Sequence, residues 1–159
     1  MSMQTIYNPK GQAQEYGEWA ANPYKGCGHK CVYCYVPRNP YFGLTRKEFD
    51  AGATLKPGFI EAYRKKASSM MRNGISVNVF FTFTSDMYNP FQNEPTREIL
   101  KITKEYGHSF TILTKGGSRA LRDMDLYTPS DHFASTLTSL SDSVSLKWER
   151  GAALPKDRI

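Results

Sequence analysis

The stretch VNVFFTFTSD, residues 77–86, decides the fold of this chain. Its first seven residues place large apolar side chains on one face and are mostly β-branched or aromatic, which predicts a strand over residues 77–83. Polar residues follow at once, beginning with Thr84, Ser85 and Asp86. We therefore expect the strand to end at residue 83, with these polar groups just beyond its carboxyl end.

Helical patterns stand on both sides of this strand. Apolar residues recur at helical spacing over residues 59–71, and Asn73-Gly74 supplies a stop signal. A second helix is predicted to begin near Pro95, which suits a first helical turn, and to end at Gly107. The strand is thus predicted to lie between two amphipathic helices.

The same alternation then repeats. Residues 110–114 are the next predicted strand, residues 118–127 a third helix with Leu121 and Met124 facing inward, and residues 132–140 a further strand. Strands that alternate with helices imply right-handed crossovers and a parallel sheet. The chain is therefore predicted to be an α/β protein.

Polar residues follow each of the predicted strands. Ser85 with Asp86, Thr114 with Lys115, and residues 136–139 occupy these places. Ligands of parallel sheets gather where the strands end. The sequence therefore predicts a binding site at this edge of the sheet.

Length and composition describe one globular unit. The chain has 159 residues, of which 40% are hydrophobic and 23% charged, and this excludes a disordered chain. We predict one domain over residues 1–159, with an N-terminal segment and cysteine loop over residues 1–57 and strand–helix units over residues 58–159. The 21 Lys and Arg against 15 Asp and Glu give a net charge of +6, which permits a phosphate-bearing partner.

No membrane span or leader peptide is predicted. No apolar run approaches the roughly 18 residues that a transmembrane helix needs. Residues 1–7 lack the basic and then apolar layout of a signal peptide. The expected compartment is therefore the cytoplasm, with no membrane partner.

The three cysteines, Cys27, Cys31 and Cys34, are the most informative residues. An odd number packed this closely is a poor disulfide framework, because structural bridges usually close longer loops. A candidate short strand over residues 17–24 leads into them, and the prolines and glycine of residues 37–43 place them in a long loop. Metal or redox chemistry is the better interpretation.

Three kinds of site remain open from the residues alone. Three thiolates can hold three irons of a cubane cluster and leave the fourth iron open to a small molecule. A redox pair of Cys31 and Cys34 leaves Cys27 without a role. A structural zinc site needs one of the three histidines as its fourth ligand, and His29 lies only two residues from Cys27. For His29 itself, a solvated loop position is expected.

The cysteine spacing and its surroundings resemble the radical S-adenosylmethionine superfamily. The spacing is Cys-x-x-x-Cys-x-x-Cys, with the aromatic Tyr33 just before the last cysteine. The surrounding segments are similar to the branch related to spore photoproduct lyase, a DNA repair enzyme. These segments are GQAQEY at 11–16, NPYKGC at 22–27, CVYCYVP at 31–37 and TSDMYNP at 84–90, with shorter matches at 96–97, 114–115, 122–123 and 136–140.

The resemblance implies a partial (βα) barrel of the radical S-adenosylmethionine type with a parallel sheet. It also implies a 4Fe-4S cluster on Cys27, Cys31 and Cys34, whose open iron binds the amino and carboxylate groups of S-adenosyl-L-methionine. Reductive cleavage of that cofactor gives methionine and a 5′-deoxyadenosyl radical, which removes a hydrogen atom from the substrate. The electron donor is expected to be a flavodoxin or a ferredoxin, and the chain is expected to be an enzyme of the lyase-like kind.

Four further residues take cofactor-binding roles by the same resemblance. Lys115 is expected to pair with the methionyl carboxylate, and Ser85 to hydrogen-bond the methionyl end. Thr136 stands where the branch has a serine near the ribose, and Tyr33 is expected near the adenine or the cluster. The structural alternatives are a surface lysine, hydroxyls that cap turns, and a tyrosine that packs the loop.

Four charged residues are left with two interpretations each. Asp86 is expected either to orient Ser85 or a substrate group or to form a turn. Arg97, Arg119 and Arg122 are expected either to contact a substrate phosphate or to be solvated. No catalytic residue is assigned.

The chain also departs from the superfamily pattern. The superfamily builds six strand–helix units, so with four predicted strands the C-terminal units are expected to be missing. Glu149-Arg-Gly stands where the branch has Glu-Pro-Gly, and no cysteine outside the motif is present as a thiol hydrogen donor. A partner chain or a second copy is expected to complete the barrel, because an open sheet edge invites pairing.

The substrate is unassigned, with nucleic acid as the first candidate by resemblance. The alternative function is a non-catalytic zinc or iron–sulfur module that contacts nucleic acid or a protein partner. Metal identity and turnover of S-adenosyl-L-methionine distinguish the two.

Overall fold

Six strands lie in two sheets in the computed structural model, which describes residues 3–91 and 93–159. The strands are β1 (Trp19–Ala21), β2 (Tyr24–Lys25), β3 (Thr54–Leu55), β4 (Asn78–Phe81), β5 (Ser109–Thr114) and β6 (His132–Ser135). The main sheet is parallel throughout, in the order β1-β4-β5-β6, and β2 and β3 form a separate antiparallel pair. The predicted α/β class and parallel sheet are therefore confirmed. The first two residues of the stretch compared with a signal peptide lie outside the described residues.

Five α-helices and four 3₁₀ helices connect these strands in the described part of the chain. The α-helices are α1 (Arg46–Asp50), α2 (Phe59–Arg72), α3 (Glu94–Glu105), α4 (Asp142–Trp148) and α5 (Pro155–Arg158). The 3₁₀ helices are Gly11–Glu15, Val36–Arg38, Pro40–Phe42 and Gly117–Leu126. No helix among residues 3–91 and 93–159 is both long and apolar enough to cross a membrane.

The core lies between the main sheet and helices α2 and α3. Phe81 of β4 and Ile112 of β5 are fully buried there, and each such side chain contributes roughly 1.5–3 kcal/mol when it leaves water. One pair of polar groups in this core joins two helices. The Tyr63 hydroxyl of α2 lies 2.8 Å from Thr103 Oγ1 of α3, so the two helices are joined by a hydrogen bond as well as by packing.

The predicted positions of α2, β4, α3 and β5 are confirmed to within two residues, but the third predicted helix is wrong in type. Gly117–Leu126 is a 3₁₀ helix, in which side chains three residues apart point the same way. Ala120 and Asp123 are buried on that spacing, whereas Leu121, predicted to face inward, is 67% exposed. Met124 packs against the core as predicted.

The last predicted strand is shorter than expected. β6 ends at Ser135 rather than at residue 140. The carbonyl of Thr136 instead accepts a hydrogen bond from Arg158 Nη1 at 2.9 Å, so the chain leaves the sheet there. Within the described chain β6 pairs only with β5, and three of its four residues are exposed.

The end of the chain returns over the carboxyl edge of the sheet. Residues of and after α4 donate or accept backbone hydrogen bonds with the cysteine loop and with the end of β5. The bonds run from Val32 N to Trp148 O at 2.9 Å, from Gly151 N to His29 O at 2.8 Å and from Ala153 N to Lys115 O at 3.0 Å. This C-terminal segment therefore fixes the cysteine loop against the strand ends.

Candidate metal centre

The three cysteines line one cleft at the carboxyl edge of the sheet. Cys27 and Cys31 are buried, Cys34 is half-buried, and all three are free thiols. The cleft has a volume of about 550 Å³ and is also lined by the strand-end residues Ser85, Asp86 and Lys115 and by the loop residues His29 and Tyr33. The structure therefore brings together three of the four residues predicted to bind the cofactor, Tyr33, Ser85 and Lys115, with the three predicted metal ligands.

Backbone hydrogen bonds hold the cysteine loop in place. The amide of Cys27 donates to Phe49 O at 2.9 Å, and Cys34 N donates to Cys31 O at 3.1 Å in a tight turn. Gly26 adopts a φ of +81°, and a Cβ there would stand 2.2 Å from the carbonyl oxygen of Gly52. Only glycine fits this close approach, so the residue before the first cysteine fixes how the loop enters the cleft.

Ser85 and Asp86 lock the end of β4 to its neighbours. Ser85 Oγ donates to the carbonyl of Gly26 at 2.6 Å, which ties the strand end to the cysteine loop. Asp86 Oδ1 accepts from Tyr88 N at 2.8 Å in a local turn, and its Oδ2 accepts from Lys115 N at 2.8 Å. Asp86 therefore forms a turn, as one of its two interpretations predicts, and it also joins the ends of β4 and β5. A role in orienting Ser85 or a substrate group stays a prediction.

Lys115 projects into the cleft rather than onto the open surface. Its Nζ lies 3.9 Å from Glu149 Oε1 and 5.8 Å from the centre of the Tyr33 ring, and its side chain is 18% exposed. The Tyr33 hydroxyl donates to the same Glu149 oxygen. An ammonium group beside an aromatic face and three thiols is placed to attract an anionic group of a bound molecule.

Thr136 is not brought into the cleft. It follows β6, its amide donates to Thr114 O at 2.9 Å, and its carbonyl accepts from Arg158. Its side chain is not among those that line the cleft. A contact between Thr136 and a bound cofactor stays a prediction without support from this geometry.

Burial raises the pKa of all three thiols. For Cys27 the burial is strongest, and the nearby Asp86 carboxylate adds to the rise. Burial also raises the pKa of Cys31, although the Lys115 ammonium opposes it, and that of Cys34, where the Val36 backbone N–H opposes it. The metal-free cleft therefore holds neutral thiols at neutral pH, which must lose their protons when a metal binds.

The raised pKa values of the three thiols are expected to slow their alkylation in the metal-free protein. Iodoacetamide reacts with thiolates, so at pH 8 we expect Cys27 to react at least about tenfold more slowly than in the urea-unfolded chain, where burial is lost. The rates should rise through pH 9 and above, with Cys34 fastest because it is the most accessible. Mass mapping of each labelled cysteine against pH measures this. Equal rates in folded and unfolded protein would contradict raised pKa values.

A buried carboxylate, Glu149, supports the cleft and was not predicted. It is 1% exposed and accepts hydrogen bonds from Tyr33, Thr138 and Arg158, the last at 2.7 Å from Nη1. Burial alone would raise its pKa, but these hydrogen bonds outweigh it and lower the pKa of Glu149 below its usual range. The only sequence feature that indicated Glu149 was its place in Glu149-Arg-Gly. No pattern near it in the sequence predicts Arg158 as its partner.

The expectation of a solvated His29 is wrong. The side chain is 2% exposed and forms part of the cleft wall. Its Nε2 lies 3.7 Å from Asp86 Oδ2, and neither ring nitrogen has a hydrogen-bond partner among the described residues. Burial lowers the pKa of His29, which keeps the ring neutral. The carbonyl of His29 accepts a hydrogen bond from Gly151 N, a residue far away in sequence.

The three arginines considered for phosphate contacts bind groups of their own chain. Arg97 pairs with Asp125 at 2.6 Å, and Arg119 Nε donates to Tyr88 O at 2.9 Å. Arg122 donates to Asn93. None of the three lines the cleft.

No group of three His, Cys, Asp or Glu side chains in residues 3–91 and 93–159 is arranged to hold a single metal ion.

A second cleft, of about 650 Å³, adjoins the first and shares Tyr35 and Phe83 with it. It also carries the lysines Lys10, Lys25 and Lys56. A molecule held beside the cysteines therefore has a neighbouring cavity that could take a second one.

No protein-family model matches the chain, and neither a curated protein nor a solved structure matches it. The resemblance described above stands on the residues quoted for it.

Proposed function

We propose that the chain is a radical S-adenosylmethionine enzyme that binds a 4Fe-4S cluster through Cys27, Cys31 and Cys34. The observation that carries the proposal is the shared cleft, in which the three thiols lie with Lys115 and Ser85 at the carboxyl edge of a parallel sheet. The motif spacing and the strand-end residues were predicted independently of each other. Their convergence in one cleft is what a cluster with an adjacent cofactor requires.

The thiols suit a cluster more than a single ion. In a cubane cluster with three cysteine ligands each thiolate binds a different iron, so the sulfurs need not converge on one point. All three cysteines are free, and no fourth cysteine is present to close the cluster. When bound, the reduced cluster supplies the electron that cleaves S-adenosyl-L-methionine to methionine and a 5′-deoxyadenosyl radical.

The residues around the thiols have groups that match the methionyl end of that cofactor. Lys115 offers a charge-assisted hydrogen bond to a carboxylate. Ser85 already donates its proton to Gly26 O, so its oxygen lone pairs are left to accept from an amino group. Tyr33 presents a ring at the cleft mouth, 39% exposed, to which an adenine can stack.

The parallel sheet is consistent with a partial (βα) barrel of the radical S-adenosylmethionine type. β6 is exposed and pairs only with β5 in the described chain, so a partner chain or a second copy can extend the sheet there. We further propose flavodoxin or ferredoxin as the electron donor. The substrate is unassigned, and nucleic acid, as in lyase-like DNA repair, is the first class to test.

Anaerobic reconstitution followed by electron paramagnetic resonance tests the proposal. The wild-type chain is expected to bind about four irons and to show a cubane signal that changes when S-adenosyl-L-methionine is added. Lys115→Met should load the same cluster but need about 10- to 100-fold more cofactor for that change, because it lacks the ammonium that meets the carboxylate. Lys47→Met, which alters an exposed lysine of α1, is the matched control.

Each failure has a separate meaning. A cluster whose signal ignores the cofactor, or a chain that takes up zinc alone, would overturn the enzyme and favour the non-catalytic metal module. A normal response of Lys115→Met would overturn only the role of Lys115.

A further inference from the structure

His29 is a buried polar side chain with no hydrogen-bond partner in the described chain. It is 2% exposed, and both Nδ1 and Nε2 are buried without a partner. Buried polar atoms of native proteins are nearly always paired, so an unpaired pair of nitrogens in one ring needs an explanation. His29 is among the residues that line the cleft of the three cysteines. Its ring nitrogens therefore lie in the wall of the cleft, close to whatever the thiols hold.

The nearest polar group does not explain the ring. Asp86 Oδ2 lies 3.7 Å from His29 Nε2, beyond hydrogen-bond reach. The carboxylate is already satisfied, because it accepts from Tyr88 N, from Thr114 Oγ1 at 2.5 Å and from Lys115 N. The imidazole N–H of His29 therefore does not donate to Asp86.

The backbone holds His29 firmly in this position. Its carbonyl accepts a hydrogen bond from Gly151 N at 2.8 Å. A Cβ at Gly151 would stand 2.0 Å from Gly28 O, so the two segments are in close contact. The position of His29 in the wall of the cleft is thus set by a fixed backbone and not by a free loop.

We propose that the His29 imidazole donates its N–H to a sulfur of the cluster held by Cys27, Cys31 and Cys34. This rests on the proposed function, because it needs a cluster in the cleft. Reduction adds negative charge to the cluster, and a hydrogen bond to its sulfur stabilises that charge. His29 then raises the reduction potential of the cluster, so that the cluster accepts an electron more easily.

The experiment is a redox titration of the reconstituted protein followed by electron paramagnetic resonance. At a fixed solution potential His29→Leu is expected to lower the ratio of reduced to oxidised cluster about tenfold, which is about 59 mV for one electron. His29→Gln keeps an N–H donor and should recover part of the difference. Lys30→Gln alters the exposed neighbour and should titrate as the wild type.

A second readout uses the metal-free protein. Leucine replaces the ring without leaving unpaired nitrogens, so the thermal midpoint of His29→Leu should be unchanged or raised by a few degrees. A lowered midpoint would show that the ring is a structural core residue and would overturn the proposal. So would equal potentials in loaded wild type and His29→Leu. If the wild type itself takes up no cluster, the proposed function fails as well, and iron content separates that case from the others.

Discussion

Replacement of any one of the three cysteines by serine is expected to remove nearly all of the iron from the reconstituted protein. The chain has only Cys27, Cys31 and Cys34, so no spare thiol can take the place of a lost ligand. Loss of a group that merely orients a metal ligand typically costs about 10- to 100-fold in affinity, and loss of the ligand itself should exceed that. We expect less than one iron per chain in each variant, against about four in the wild type.

The measurement combines iron and sulfide content with the absorbance near 400 nm of each variant. Tyr35→Phe is the matched control, because it alters the same loop and removes only a hydroxyl that donates to Phe83 O at 2.9 Å. It should keep a full cluster. Circular dichroism of each serine variant shows whether the fold is retained, so that loss of iron can be assigned to the ligand.

A different pattern would contradict three-thiolate ligation. If Cys27→Ser retains its cluster while Cys31→Ser and Cys34→Ser lose it, Cys27 is not a ligand. If all three variants keep a coloured cluster, the cleft is not the metal centre. If only bound zinc is lost, the non-catalytic metal module becomes the better description.

Local patterns were enough to predict the elements that carry the core. Helix α2 and strand β4 each show one periodicity over a full element. The stop signal Asn73-Gly74 directly follows the end of α2 at Arg72, whereas β4 ends at Phe81, two residues before the end predicted from the polar residues that begin at Thr84. The predictions of these two elements succeeded because their determining residues are close together in sequence. The metal or redox centre predicted from the cysteine spacing rests on a local pattern of the same kind and stays a prediction.

The errors arose where distant contacts decide the outcome. The 3₁₀ helix at Gly117–Leu126 is held at its start by the Asp157 carboxylate, 3.2 Å from Ser118 N, which no pattern within the helix reveals. β6 ends early because Arg158 takes the Thr136 carbonyl. The carbonyl of the buried His29 accepts a hydrogen bond from Gly151 N. All three involve the C-terminal segment, whose return to the cysteine loop the sequence did not indicate.

The buried ion pair of Glu149 and Arg158 lies in this C-terminal segment. Breaking the pair is the substitution expected to lower the stability of the fold most. Both side chains are 1% exposed, and Arg158 Nη1 lies 2.7 Å from Glu149 Oε2. Arg158→Leu removes the guanidinium from the buried Glu149 carboxylate and leaves it only the more distant Lys115 Nζ, 3.9 Å away, as a cation. Glu149→Leu leaves the buried Arg158 guanidinium without its carboxylate. Each should cost about 3–5 kcal/mol. For a chain of this length that lowers the thermal midpoint by about 10 °C.

The control is an exposed ion pair of the same type. Arg64 and Glu105 lie 2.7 Å apart, with side chains 41% and 52% exposed. Water and salt screen such a pair, so Glu105→Gln should cost less than about 1 kcal/mol. Urea denaturation of both sets of variants at one pH and one salt concentration makes the comparison direct. Equal costs in the two pairs would contradict a special role for the buried one.

The double variant Glu149→Leu/Arg158→Leu separates the pair from its packing. Because it removes both charges, it should be clearly more stable than either single variant, and the cycle should give a coupling of several kcal/mol.

The stability of the double variant should also depend less on acid pH than the stability of the wild type. The lowered pKa of Glu149 means that the carboxylate stabilises the fold above the unfolded pKa, about 4.3, and that this is lost as pH falls through the folded pKa. The double variant should lack that decline.

The same cycle bears on the metal centre. Glu149 accepts from Tyr33, its backbone pairs with Cys31, and its Oε1 lies 3.9 Å from Lys115 Nζ. An unpaired charge at this point should disturb the cysteine loop more than it disturbs the distant core of α2 and α3. We therefore expect both single variants to lose iron at temperatures where circular dichroism still shows a folded sheet, and the double variant to retain it. If iron is lost only together with the fold, Glu149 stabilises the protein as a whole and does not specifically hold the loop.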